Sequence, residues 1–150
     1  MSGITSLLVL VCAVTLGSGG PRAEPTLPPL SGDAIPQSLT GRPGDARRGA
    51  ALLADRNRSL CVLCHSGMPG LPAHMQGDLA PSLAGIGARL SAGQLRLRIA
   101  DMKRLNPESI MPAYHGARNA RRIGETWRAR PILSAEEIED LVAHLSSPEG

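Results

Sequence analysis

Two cysteines three positions apart, with a histidine directly after the second, constrain this chain more than any other feature: Cys61-Val-Leu-Cys64-His65. On one turn of helix the thiols fall on one side and the imidazole follows beside them. Four chemistries use such a pattern. A zinc site wants four nitrogen or sulfur ligands, and the chain has no second C-x-x-C. A thioredoxin-like redox pair belongs to a βαβ unit, for which no strand pattern is present. A plain disulfide would leave His65 without a task. The fourth is covalent attachment of haem c, in which Cys61 and Cys64 alkylate two vinyl groups and His65 becomes the proximal iron ligand. The spacing points to this one.

Composition agrees. The chain has 150 residues, 42% of them hydrophobic, which suits one soluble domain. It has no Phe, one Trp (Trp127) and one Tyr (Tyr114). Aromatic rings usually dominate core energetics, each burying about 150–250 Å². A domain without them builds its core from aliphatics or borrows a flat apolar body, and a haem is such a body. The net charge of +3 is too small to imply nucleic-acid binding, and no basic groove interleaved with aromatics appears. The charge is unevenly spread: Arg and Lys dominate 96–130, whereas 134–150 hold acids and no base. A solvated face is one reading. Steering of an anionic substrate or an acidic partner surface, with Arg121 and Arg122 taking part, is the other.

Residues 1–23 read as a signal peptide, with an apolar run from Ile4 to Leu16 too short to span a bilayer. Cys12 leaves with it. Residues 24–44 carry repeated prolines among Gly, Ser and Thr and read as an N-terminal arm, so that a cytochrome-type domain over 45–150 starts at Asp45. Asp45 caps a helix whose face is Ala46, Gly49, Ala50 and Leu53. Ser91 and Gln94 form a capping box, with a Leu90–Leu95 staple. That helix carries Ile99 and Met102 on its inner face and Arg96, Arg98, Lys103 and Arg104 outside. Ser134 and Glu137 repeat the capping box ahead of Ile138, Leu141, Val142 and Leu145, with a Leu133–Ile138 staple. The expected fold is all-α, three to five helices with long loops at 66–89 and 105–133. Loops that long need a reason, and wrapping a cofactor supplies one.

A second axial ligand must reach the iron from the other face. Met68, His74 and Met75 sit close to the proximal side, Met102 fits a core role, and His144 lies at the edge of the last helix. Met111 and His115 lie far enough along the chain to cross over. Pro112 restricts the backbone of Met111, and a soft thioether favours ferrous iron. Met111 is the preferred candidate, with His115 or a five-coordinate iron as alternatives. In the loop after the motif, Pro81 is placed where its carbonyl could accept the proton of His65 Nδ1; a simple turn proline is the competing reading.

From Asp45 to Leu145 the chain resembles a class I cytochrome c: a Gly-containing first helix, C-x-x-C-H, a proximal Pro loop, a distal Met-Pro and a final helix crossing the first. It is further similar to the SoxX family, the monohaem subunits of SoxAX complexes of thiosulfate oxidation. The resemblance is carried by Ser38-Leu-Thr-Gly-Arg-Pro-Gly-Asp45, Gln76-Gly-Asp-Leu-Ala-Pro81, Gly85-Ile-Gly-Ala-Arg89 with Gln94-Leu-Arg-Leu-Arg98, and Leu105-Asn-Pro-Glu-Ser-Ile-Met-Pro-Ala-Tyr114. Ala80, His115 and His144 depart from the family pattern, which more often has Gly, an aromatic and Tyr there. The resemblance implies one haem c on Cys61 and Cys64, iron ligated by His65 and Met111, and Pro81 beside the proximal ligand. It implies a periplasmic electron-accepting subunit bound to a SoxA-like cytochrome that carries the sulfur chemistry. A sulfur-carrier protein and a soluble acceptor cytochrome would be transient partners. A free-standing carrier serving an oxidase, or a haem-based gas sensor, are the other functions such a chain could serve.

Overall fold

The computed structural model describes residues 26–116 and 130–148. The expected signal segment, Cys12, Arg121, Arg122 and Trp127 lie outside them. Three α-helices carry the architecture, α1 (Ala46–Ala54), α2 (Ala92–Asp101) and α3 (Ala135–Leu145), joined by loops that contain single 3₁₀ turns. No strand forms among the described residues; Ser31 and Ala34 make an isolated bridge. The all-α expectation holds.

Each helix begins where its cap dictates. The Asp45 side chain accepts from the backbone N–H groups of Arg47 and Arg48. Ser91 and Gln94 form a reciprocal capping box, as do Ser134 and Glu137. Gly49 and Leu53 are the buried residues of α1, and α1 packs along α3. The approach is too close for a side chain: a Cβ on Gly49 would stand 2.0 Å from the Asp140 carbonyl oxygen, and one on Gly44 2.1 Å from that of Glu139. The main core gathers Leu53, Val62, Met68, Leu95, Ile99, Tyr114, Leu133, Ile138, Leu141, Val142 and Leu145. It is aliphatic but for Tyr114.

Three sequence expectations need correction. Arg96 does not face outward. It is 6% exposed, and its guanidinium forks onto Glu139 at 2.7 and 2.8 Å while donating to the Ile35 carbonyl at 2.7 Å. Leu95 and Leu97 on either side are also buried, so α2 is enclosed over more than one stripe. Met102 is not on the inner face of α2, because the α-helix stops at Asp101 and a 3₁₀ turn over Met102–Arg104 carries it to a half-buried position. The packed body also begins ahead of Asp45. Ile35 is fully buried in a satellite core with Leu97 and Ala100, its N–H donates to the Gly93 carbonyl at 3.0 Å, and Leu39 N–H reaches Glu139 Oε1 at 2.8 Å. The buried ion pair of α2 and α3 holds this segment down, through the Ile35 carbonyl and the Leu39 N–H.

Candidate functional site

Leu60, at φ 63°, turns the chain into a single 3₁₀ turn over Cys61–Leu63. The Cys61 carbonyl accepts from both Cys64 N (3.1 Å) and His65 N (2.9 Å), which closes the turn. Val62 is driven into the core at 2% exposed, while Leu63 stays outside. Cys61 and Cys64 are free thiols, each half-buried. Burial pushes the Cys61 thiol up, against the lowering effect of its hydrogen bond to Ser59. Among the described residues, no three His, Cys, Asp or Glu side chains gather as metal ligands would.

The loop after the motif runs back alongside it, tied at regular intervals. Gly77 N donates to Val62 O (2.8 Å), Ala80 N to Cys64 O (2.8 Å) and Leu83 N to Ser66 O (2.8 Å). Gly77 is required there, since a Cβ would meet the Leu63 carbonyl oxygen at 2.3 Å. Gly67, at φ +79°, likewise leaves no room for a Cβ beside Ser82 and Ala84. Arg89 clips the far end by donating to Ala84 O and Ser82 O at 2.8 and 3.1 Å. This strap sets the Pro81 carbonyl 2.7 Å from His65 Nδ1. A carbonyl only accepts, so Nδ1 is the donor here, and in the neutral ring Nε2 is the nitrogen left for a metal. Two free thiols and one bare imidazole nitrogen on a single turn are the donor set that haem c requires.

On the far side of the sequence, Met111 is half-buried against the main core, its N–H on Ser109 Oγ at 3.2 Å. Lys103 Nζ holds the Ser109 carbonyl at 2.5 Å. The other methionines and histidines are placed differently. Met68 is 4% exposed in the core, with its backbone N–H and C=O both bound by the Gln76 amide. His74 and Met75 sit on an exposed 3₁₀ turn. His115 is buried with Nδ1 on the Leu133 carbonyl at 2.8 Å. His144 is buried within α3, its Cβ beside Gly49.

Tyr114 stands out in the sequence by its rarity and as the end of the Leu105–Tyr114 run, with no contact assigned to it. Tyr114 is 3% exposed, and its hydroxyl donates to the Ser59 carbonyl at 2.5 Å, two residues ahead of Cys61. Burial, with Cys61 beside it, pushes its phenol well above the usual range, so it stays a donor. No periodicity signals such a contact; a lone Tyr in an aromatic-free core is the available hint, because a buried phenol needs an acceptor. The basic stretch is also less outward than it reads. Arg96 is consumed by Glu139, and Arg98 pairs with Asp33 at 3.0 Å.

No family model and no curated protein sequence matches the chain. Among solved structures, it is similar to a chain of the crystal structure of SoxXA from P. pantotrophus. The two share 31% sequence identity with a TM-score of 0.73, over 86% of this chain and 99% of that one. Likeness at that identity, across nearly the whole of the other chain and with the C-x-x-C-H turn, proximal strap and crossing of α1 on α3 in place, shows the family. The chain belongs to the SoxX family of class I cytochromes c.

Proposed function

We propose that this chain is the periplasmic, electron-accepting monohaem subunit of a SoxAX-type complex that oxidises thiosulfate or related reduced sulfur compounds. The observation that carries the reading is the likeness to SoxXA over 99% of the matched chain. Cys61 and Cys64 hold one haem c by thioether bonds, and His65 and Met111 ligate its iron. When bound, the haem supplies a reversible one-electron site. The Pro81 carbonyl, on the Nδ1 proton, fixes the His65 ring and strengthens it as a ligand. The Met111 thioether favours the ferrous state, which suits an acceptor. With residues 1–23 removed as an export signal, no thiol remains for sulfur conjugation once Cys61 and Cys64 are alkylated. The sulfur chemistry therefore belongs to a SoxA-like partner, and this chain passes its electrons to a soluble cytochrome. Among the described residues no helix is long and apolar enough to cross a membrane.

Copurification from the native periplasm tests the assignment. A second, tightly bound haem protein is expected; its absence would leave a free-standing carrier. Haem in the matured chain should resist extraction into acidified organic solvent. Met111→Ala should abolish the weak red thioether-to-iron charge-transfer band and lower the reduction potential; loss of the band in His115→Ala instead would reassign the ligand. Thiosulfate should not reduce the isolated chain at a useful rate. Electron transfer from the partner should slow as salt rises if the basic stretch steers it, with Arg121→Glu and Arg122→Glu slowing it further.

A further inference from the structure

We propose that Tyr114 is a positioning residue for Met111: its hydroxyl ties the segment bearing the thioether to the segment bearing the cysteines and so keeps the thioether on the iron. The inference rests on the ligand assignment above and goes beyond it. Among the described residues, hydrogen bonding between the 105–116 stretch and the 55–65 stretch runs through the Tyr114 hydroxyl, on the Ser59 carbonyl at 2.5 Å. Tyr114 is also fixed from behind. Its carbonyl accepts from Leu133 N at 3.0 Å, and the next two backbone N–H groups, of His115 and Gly116, both donate to the Ala100 carbonyl. Met111 stands three residues upstream, separated by Pro112, whose φ is locked. With Tyr114 anchored to the cysteine side and Pro112 rigid, few torsions remain by which Met111 could swing away. Upstream of Met111 the anchors are local: Ser109 Oγ on its N–H and Lys103 on the Ser109 carbonyl. These order the loop without linking it to the motif. A buried phenol bonded within its own loop would stabilise the fold as well, but it would not join the two halves of the site.

The test uses the matured haem protein and exogenous imidazole, with displacement of the thioether followed by loss of the charge-transfer band. Tyr114→Phe keeps the ring and removes the hydroxyl, leaving the Ser59 carbonyl without its donor. Imidazole should then displace the thioether about tenfold faster, the scale of one lost buried hydrogen bond, while the band itself survives before imidazole is added. Asp140→Asn serves as a control, since it weakens the α1–α3 contact away from this segment. An unchanged rate in Tyr114→Phe would overturn the proposal. So would an equal acceleration in Asp140→Asn at matched loss of stability, which would make Tyr114 merely a stabilising residue. Absence of a Met111-dependent band in the unmodified protein would mark a different failure, that of the ligand assignment itself.

Discussion

Leu60 occupies the left-handed region at φ 63°, a conformation that places a Cβ close to the following carbonyl and costs about 1–2 kcal/mol. The turn that presents the cysteines thus starts from a strained residue. Leu60→Gly should raise the stability of the protein by about 1 kcal/mol, read as a higher urea midpoint at unchanged slope. Cys61, Cys64 and His65 are legible from spacing, since C-x-x-C-H is a local pattern; Met111 and Pro81 are candidates with alternatives until the family resemblance implies them. The bonds that arrange them are not local. His65 meets Pro81 across 16 positions and Tyr114 meets Ser59 across 55. No periodicity encodes such pairings; they appear once the loops have been folded back by glycines that admit no Cβ.

At the level of elements, the helices are legible because caps and apolar spacing act within a few residues. Their mutual packing is not. Gly49 reads as one of the inner-face positions of α1, and why no side chain fits there appears only against the Asp140 carbonyl of α3. Gly49→Ala should force α1 and α3 apart and cost about 3 kcal/mol in thermal or urea unfolding. Arg96 is the residue that sequence reasoning turns the wrong way, because an arginine on a helix is normally solvated and α3 supplies the carboxylate that reverses this. Both side chains of the Arg96–Glu139 pair are under 10% exposed, at 7% and 3%. Arg96→Met strands a buried carboxylate and should destabilise by about 3–5 kcal/mol. The Arg96→Met/Glu139→Leu double variant should recover part of that loss but not all, since the Ile35 carbonyl and Leu39 N–H lose their partners too.

Across the whole molecule, three carboxylates respond to acid together. The Arg48 side chain, followed by the Asp45 backbone N–H, holds Asp140 below the usual carboxylate range. The Arg48 backbone N–H does the same for Asp45, and Gln94 with Arg98 for Asp33. A group whose folded value is depressed contributes fully above its unfolded value and loses that contribution as pH falls through the folded one. The melting temperature should therefore hold from neutral pH down to about 5 and fall below about pH 4. Asp140→Asn should lower the plateau and flatten that acid limb. The same long-range ties carry a consequence for the order of synthesis. Leu39 closes on Glu139, 100 positions later. A chain delivered from its amino end presents the arm, α1 and the Cys61–His65 turn before α3 is there for them to seat against. Until then the turn stays open to whatever enzyme must reach its thiols. Closure waits for the last helix, so covalent chemistry on the thiols can come before the fold that would enclose them.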